Sequence, residues 1–359
     1  MLVLAITLAT LHGLVVASPH GHDKIKQVGP GQSIQAAINA ANSGSSIFVK
    51  PGTYYEQLTI TTSGISLIGS NAVLVPPNTR TSNTCTGLAG NDVNGLPTQA
   101  GICVSGSDIQ LGPYPGQEHR KVLSVGHPIK DVLIKGFTIK GFTGQNIAFV
   151  GGKNCRATKN ILVDGANYGF LTVGSENTAA DNNVVTSEAA PLNFIGMCMD
   201  DQANPRVASN DISKYIIALC VQTNGARVED NKVHDSCVGA FVDPGIMGAK
   251  VVRNHITSLN QACTFGLASG IMVNGAHNTL VKENYVEGQK LDGKGAGIVV
   301  VDDVPSGSVA SGNVVVMNVL RDNDVDIFFK TTGNGNVFLK NTCETIVPAG
   351  VCARNEGRG

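Results

Sequence analysis

The chain has 359 residues and a formal net charge of −1, and charged residues make up 15% of it. Such a chain has no broad positive field, which argues against nucleic-acid and membrane-surface roles. It contains 43 Gly, no Trp and 5% aromatic residues, a composition that excludes a disordered or coiled-coil chain. One domain of this length is compatible with a solenoid, in which each repeat buries its face on a neighbour.

The N-terminal seventeen residues are mostly apolar and end in Val15-Val16-Ala17, a small-residue sequence suited to signal peptidase. The apolar run is too short to span a membrane. We therefore predict a signal peptide over residues 1–17, a mature domain over residues 18–359, and a protein that is secreted or resides in the secretory-pathway lumen.

Two features precede the repeats. Residues 33–41 have helical apolar spacing after Ser33, a suitable N-cap, which predicts a short helix that closes the open end of a stack. Residues 76–130 are rich in Pro, Gly and Thr and break the later rhythm, which predicts an insertion tied by Cys85 and Cys103. Long ordered insertions often cover a site.

The second half of the chain repeats. An Asn followed two residues later by a branched apolar residue recurs at intervals of 21 to 30 residues. These residues are Asn160, Asn182, Asn210, Asn231, Asn254, Asn284 and Asn313. Short apolar runs lie between them without room for crossover helices, which excludes βαβ units. The predicted fold is all-β: a single-stranded, right-handed parallel β-helix with a short N-terminal capping helix.

The segments GQSIQAAINAA and IFVKPGTYYEQLTI, followed by the Asn-punctuated coils, resemble the right-handed β-helix proteins of the pectate-lyase-like superfamily. The resemblance covers most of the mature chain and concerns the fold.

Side-chain alternation along the second strand of each coil predicts which residues face outward. The predicted outward stripe is apolar: Phe149, Thr172, Cys198, Cys220, Phe241, Met272, Val300 and Phe328. A polar ladder is predicted beside it: Gly151, Gly174, Asp200, Gln222, Asp243, Asn274, Asp302 and Lys330. An apolar stripe flanked by polar groups is what an apolar ligand requires. The alternative is that the 76–130 insertion packs there, and both hold if the insertion forms one wall.

Nine cysteines in a secretory compartment favour disulfides, and the odd count leaves one without an intramolecular partner. Cys198 and Cys220 fall on adjacent coils about 5 Å apart, which predicts a disulfide. Further expected pairs are Cys237 with Cys263 and Cys343 with Cys352, which leaves Cys155 unpaired.

One interpretation of the polar ladder is that it cleaves carbohydrates. A hydrolase needs two carboxyl groups, and Asp200, Asp243 and Asp302 are candidates. However, the polygalacturonase-like and pectate-lyase signature segments are absent, and Asp residues at solenoid turns commonly cap backbone groups. His234, next to Asp235, is a weak acid–base candidate. The spacing of the histidines predicts no metal site.

The main hypothesis for the function is the cyclisation of an apolar small molecule. The neutral, secreted β-helix looks like the fungal hetero-Diels-Alderases of tropolonic sesquiterpenoid biosynthesis. That resemblance implies cofactor-free cycloaddition of a tropolone o-quinone methide to a humulene-type alkene. The expected apolar wall is Phe149, Phe241, Met272, Val300 and Phe328, and the expected assisting groups are Asp243, Gln222, Asn274, His234 and Asp200. The alternatives are a lyase or hydrolase of a pectin-like polysaccharide and a non-catalytic wall-binding β-helix.

Overall fold

The computed structural model describes residues 25–263 and 268–348, and it confirms the predicted fold. Nearly all regular structure is parallel β, with one short helix. The predicted signal peptide and Cys352 lie outside the described residues. None of the helices in the described part of the chain is long and apolar enough to cross a membrane.

The first coils and the capping helix form the N-terminal end of the stack. Their elements are β1 Ile25–Val28, α1 Ile34–Asn39, β2 Ser46–Val49, β3 Gly52–Tyr55, β4 Leu58–Ile60 and β5 Ser66–Val75. Ser33 caps α1 by accepting the Ala36 N–H, and Glu56 accepts the N–H groups of Ile34 and Gln35. Because these N–H groups in the first turn have hydrogen-bond partners, the N-terminus of the helix is capped where the helix covers the core.

The region predicted as an insertion holds four strands: β6 Ala100–Ser105, β7 Ser107–Leu111, β8 Val122–His127 and β9 Ile129–Lys130. β6 is a strand of the solenoid itself, paired between β4 and β11 (Gln145–Val150). β7 and β8 pair antiparallel and leave the stack. We call residues 107–127 the arm.

The remaining coils follow one pattern of short strands. They are β10 Leu133–Lys140, β11 Gln145–Val150, β12 Gly152–Lys153, β13 Arg156–Thr158, β14 Ile161–Val163, β15 Tyr168–Val173, β16 Ala179–Asp181, β17 Val184–Thr186, β18 Asn193–Asp200, β19 Arg206–Ala208, β20 Asp211–Ser213, β21 Tyr215–Val221, β22 Arg227–Glu229, β23 Lys232–Ser236, β24 Val238–Val242, β25 Lys250–Val252, β26 His255–Leu259, β27 Ser269–Asn274, β28 Leu280–Lys282, β29 Tyr285–Glu287, β30 Ala296–Val301, β31 Val314–Val316, β32 Val319–Arg321, β33 Val325–Lys330, β34 Val337–Leu339 and β35 Ile346–Val347.

Two large parallel sheets enclose the core. Eleven strands form the sheet that we call the front sheet, in the order β4, β6, β11, β15, β18, β21, β24, β27, β30, β33 and β35. Twenty strands form the other sheet, in which two parallel series are joined through the long strands β5 and β10. Each coil therefore adds a strand to the front sheet and strands to the other sheet, and the core lies between them.

Stacked asparagines hold successive coils in register. Each ladder residue donates its side-chain N–H to the Oδ1 of the next one, and that oxygen also accepts the backbone N–H. The ladder contains Asn160, Asn183, Asn210, Asn231, Asn254, Asn284, Asn318 and Asn341. The repeat read from the sequence is thus shifted at two positions. Asn183 rather than Asn182 belongs to the ladder, and Asn313 starts a second one with Asn336.

The predicted cysteine pairing is confirmed in part. Cys85 bonds Cys103, and Cys237 bonds Cys263. The expected disulfide between Cys198 and Cys220 is wrong. Both are free and buried, as is Cys155. Cys198 and Cys220 are register partners on β18 and β21. Disulfides of this kind indicate folding in an oxidising compartment.

Candidate functional site

The front-sheet strands have apolar residues on both faces. Strand register and burial therefore show which residues face outward. Register pairs Leu171 with Cys198, Cys220 with Phe241, and Val299 with Phe328, all outside the main core. Phe149 and Val300, which the sequence places outward, are fully buried inside the solenoid. Thr172 is also buried, and its hydroxyl donates to Asp201. A one-residue slip reverses every side chain of a strand, and runs of apolar residues leave that slip undetected.

The arm covers the N-terminal half of the outward surface. Ile109, Leu111 and Val122 pack against the outward side chains of β11, β15, β18 and β21. Contact is close at Gly151 and Gly174, which the sequence places on the ladder. A Cβ at Gly174 would lie 2.5 Å from Val122 Cβ. We call this surface, over β6 to β21, the covered half.

The C-terminal half is open and forms a cavity of about 620 Å³. We call the outward surface of β24, β27, β30 and β33 the open half. Three residues of the predicted apolar wall lie here: Phe241, Met272 and Phe328. The remaining lining residues that the structure describes are Ala268, Asn274, Gly293, Lys294, Gly295, Ala296, Val299, Val301, Val325 and Val347. The insertion therefore covers one half of the stripe, and the other half lines a cavity.

A series of mostly polar residues crosses both halves at the C-terminal ends of the front strands. We call the outward series Asp200, Gln222, Asp243, Asn274, Val301 and Lys330 the front ladder. Backbone pairing continues from Met199 to Gln222 and from Val221 to Asp243. Neighbouring rungs are about 4.8 Å apart, so Asp200 and Asp243 lie two steps apart, with Gln222 between them.

Two side chains of the arm, His119 and Lys121, contact this ladder directly. His119 Nε2 lies 2.9 Å from Asp200 Oδ2, and its Nδ1 lies 3.0 Å from the Tyr168 hydroxyl. Lys121 Nζ lies 3.1 Å from Asp200 Oδ2 and donates to Gln222 Oε1 at 2.7 Å. Since an ionised carboxylate only accepts hydrogen bonds, Nε2 carries the proton shared with Asp200. The result is a continuous polar network from the arm to the ladder.

Asp200 is held in its charged form. Burial works to raise its pKa, but the hydrogen bond from His119 and the charge of Lys121 outweigh it, and the pKa is lowered. His119 is completely buried, whereas the Lys121 side chain is 50% exposed. Asp200 therefore presents a fixed negative charge beside a lysine that reaches solvent.

The pKa of Asp243 is shifted in the opposite direction. Burial raises its pKa to about 8, the nearby charge of Glu118 adds to the rise, and Gln222 and Lys121 oppose it. Gln222 Nε2 lies 2.6 Å from Glu118 Oε2 and 2.7 Å from Asp243 Oδ2, so these oxygens lie within 5.3 Å of each other. Two carboxyl groups this close resist double ionisation. Asp243 therefore carries its proton near neutral pH.

The free cysteines below the network are not poised as nucleophiles. Cys198 and Cys220 are buried, and burial raises the pKa of the Cys198 thiol to about 11 and that of Cys220 well above its usual value. A reactive cysteine needs a lowered pKa and access to solvent. These thiols therefore act as packing under the ladder.

Other predicted site residues lie elsewhere. His234 is on β23, outside the front sheet, where its ring nitrogens contact Asp211 and Asp235. Asp302 is one residue beyond the ladder and accepts hydrogen bonds from the Ala310 and Thr332 N–H groups. Despite an opposing effect of burial, hydrogen bonds led by Thr331 lower its pKa to about 2. Asp302 thus caps a turn. Asn274 stays on the ladder and donates to Asp303.

Glu118, His119 and Lys121 were not predicted as site residues, because they lie in the insertion, without a repeat to align. A signal was present: residues 117–121 read QEHRK, a dense polar run in a chain with few charges. No group of three or more His, Cys, Asp or Glu able to hold a metal occurs within residues 25–263 and 268–348.

Comparisons with known proteins agree with the fold. Residues 195–359 match the family model described as the right handed beta helix region. The curated colanic acid biosynthesis protein WcaM of Shigella flexneri is 26% identical over 201 residues, which are 50% of this chain and 40% of that protein. The chain thus spans well under half the length of that relative.

Solved β-helix structures are similar over most of the chain. The A-module of mannuronan C-5 epimerase AlgE6 from Azotobacter vinelandii aligns with a TM-score of 0.52 at 13% identity, over 87% of this chain and 90% of that one. A family 28 exopolygalacturonase from Yersinia enterocolitica gives 0.55 at 13%, over 89% and 76%. DFA-IIIase from Arthrobacter chlorophenolicus, without its lid, gives 0.56 at 12%, over 90% and 98%.

Fold and site together define a right-handed parallel β-helix with a carboxyl-bearing ladder beside an apolar cavity. These matches agree with the right-handed β-helix fold that the sequence indicated.

Proposed function

We propose that the protein is a carbohydrate-active acid–base enzyme that cleaves a glycosidic bond at the front ladder. The observation that carries this proposal is the opposite protonation of two carboxyl groups on one ladder. The pKa of Asp243 is raised to about 8, and that of Asp200 is lowered. Glycoside hydrolysis with inversion needs one carboxyl group that gives a proton and one that accepts a proton.

The spacing of the two groups favours an inverting reaction. Two rungs separate their Cα atoms by about 10 Å. This Cα separation is nearer to the carboxyl–carboxyl distance of about 6.5 to 9.5 Å in inverting glycosidases than to that of about 5 to 5.5 Å in retaining ones, and the wider spacing leaves room for the attacking water. Asp243 donates its proton to the leaving oxygen, and Asp200 accepts a proton from the water that attacks the anomeric carbon. The anomeric configuration of the product is then inverted.

His119 and Glu118 are positioning residues in this scheme. His119 fixes the Asp200 carboxylate through a partly buried hydrogen bond, and Glu118 shares the Gln222 amide with Asp243. The names of similar structures, an epimerase of mannuronan and an exopolygalacturonase, support the choice of a carbohydrate substrate.

The experiment compares Asp243→Asn with Asp302→Asn. The purified protein is incubated with neutral and acidic polysaccharides and with simple glycosides, and new reducing ends are measured. Loss of the acid should lower the rate about 10²- to 10⁴-fold in Asp243→Asn. Asp302→Asn removes a turn cap and should keep the wild-type rate. Each variant must first be shown to be secreted and folded. Equal activity in Asp243→Asn and the wild type would overturn the proposal.

A second candidate is the cofactor-free cyclase that the sequence resemblance implies. The apolar lining of the cavity, with Phe241, Met272 and Phe328, favours it. Asp243 would supply the proton for loss of water from a hydroxymethyl precursor, and the cavity would align the two unsaturated partners. Turnover of a tropolone o-quinone methide precursor with a humulene-type alkene, without any glycoside cleavage, would favour this candidate over hydrolysis.

A further inference from the structure

The cavity of the open half lies directly beside the proposed acid. Phe241 lines the cavity and precedes Asp243 by two residues, so both side chains leave β24 on the same side. Asn274 also lines the cavity and is the next rung of the ladder after Asp243. A leaving group protonated by Asp243 can therefore extend over Asn274 into the cavity.

The opposite side of Asp243 differs in chemistry. Gln222, Glu118 and Lys121 form a polar surface there, which leads toward Asp200. The hydroxyl groups of a sugar ring can exchange hydrogen bonds with charged and amide groups of this kind. The sugar and its leaving group thus meet two surfaces of different polarity, with Asp243 at their boundary.

The cavity lining suits an apolar group rather than a second sugar. Of the lining residues that the structure describes, Asn274 and Lys294 carry polar side chains, and the others are apolar or Gly. Its volume of about 620 Å³ is within the range of pockets for small organic ligands. A sugar ring placed there would lose hydrogen bonds to water without replacing most of them.

From this arrangement we infer that the cavity binds an apolar leaving group, so that the substrate is a glycoside of an apolar alcohol or phenol rather than a sugar polymer. The inference rests on the proposed glycosidase function and adds its substrate class. Phe241, Met272 and Phe328 would contact the apolar group, and they determine specificity without touching the reacting atoms.

The test measures kcat/KM for alkyl glucosides, galactosides and galacturonides of both anomeric configurations, with alkyl chains from methyl to octyl. Each methylene buried in the cavity should raise kcat/KM about fourfold until the cavity is filled. Phe328→Ser and Met272→Ser should flatten this rise. Both side chains are half-buried, so these variants should fold. Ile161→Ser, at an exposed position outside the front sheet, is the control and should keep the full rise.

Binding without turnover provides a second readout. Free hexanol and octanol should bind to Asp243→Asn, and Phe328→Ser in that background should weaken octanol binding about tenfold. Cleavage that is independent of chain length would overturn the inference and leave the proposed function standing. No cleavage of any glycoside or polysaccharide would overturn both. A concentration-dependent dimer that excludes octanol would also overturn the inference, because a second copy would then occupy the cavity.

Discussion

The covered and open halves of the front sheet have similar apolar outward residues, but these residues have different roles. In the covered half, Leu171 and Cys198 are fully buried in a cluster against which Ile109, Leu111 and Val122 of the arm pack. In the open half, Phe241 and Met272 stand on the same sheet without an arm above them and line a cavity. An apolar outward stripe on a solenoid is therefore part of the core under an insertion and a binding surface beyond it.

The strongest contrast is expected from truncating one side chain in each half. Leu171→Ala should lower the free energy of unfolding by about 2 to 5 kcal/mol, because it leaves a cavity in a packed interior. Met272→Ala should cost less than about 1 kcal/mol, because its side chain already borders open space. Chemical denaturation of both variants measures the difference. Equal losses would mean that the open half is covered in solution.

Two glycines with left-handed backbone provide a sharper test of the arm. Gly174 has φ +61°, and a Cβ there would meet Val122 at 2.5 Å. Gly225 has φ +70° and open space around it. Alanine at either position strains the backbone by about 1 to 2 kcal/mol. Overpacking against the arm should add about 1 to 3 kcal/mol in Gly174→Ala alone. If both variants lose the same unfolding free energy, the arm does not pack where the structure places it.

The border between the halves can be examined through the pH profile. Asp243 acts as a protonated acid, so activity should fall as pH rises through its pKa of about 8. Glu118→Gln removes a negative neighbour and should move this fall to lower pH, by about 1 unit. Lys121→Gln removes a positive neighbour and should move it to higher pH. Shifts in the same direction would contradict the assigned electrostatics.

The smallest effect is expected from the thiols under the arm. Cys198 and Cys220 are buried, and their pKa values are raised, so a maleimide should not label them in the folded protein. Unfolding in denaturant should expose both to labelling, which peptide mass spectrometry can locate. Rapid labelling of either residue in the native state would show that the covered half opens.

Much of this architecture could be predicted from the sequence, because repeats and turn residues are local signals. The asparagine spacing predicts the coils, and Ser33 with the spacing that follows predicts the capping helix. Orientation was harder to predict, since Phe170-Leu171-Thr172-Val173 has apolar residues on both faces. Aligning the strands on their glycines would have corrected it. A Cβ at Gly169 would lie 2.7 Å from the Gly196 carbonyl oxygen, so this position admits little else.

The placement of the ladder residues was predicted in part. Asp200, Gln222, Asp243 and Asn274 lie together because parallel register stacks equivalent positions. The contribution of the arm could not be read from the sequence, since no periodicity relates residues 117–121 to the coils. The contact of His119 with Asp200 spans 81 residues, and tertiary folding alone creates it.

The protonation of Asp243 is the central claim, and a carboxyl ¹³C NMR titration of the wild type and Asp243→Asn tests it without any substrate. We predict one carboxyl resonance that titrates near pH 8 in the wild type and is missing in Asp243→Asn. The resonance of Asp201, whose pKa burial raises to about 7, should remain in both. Loss of the Asp243 proton below pH 5 would contradict the account, because the ladder would then lack its acid.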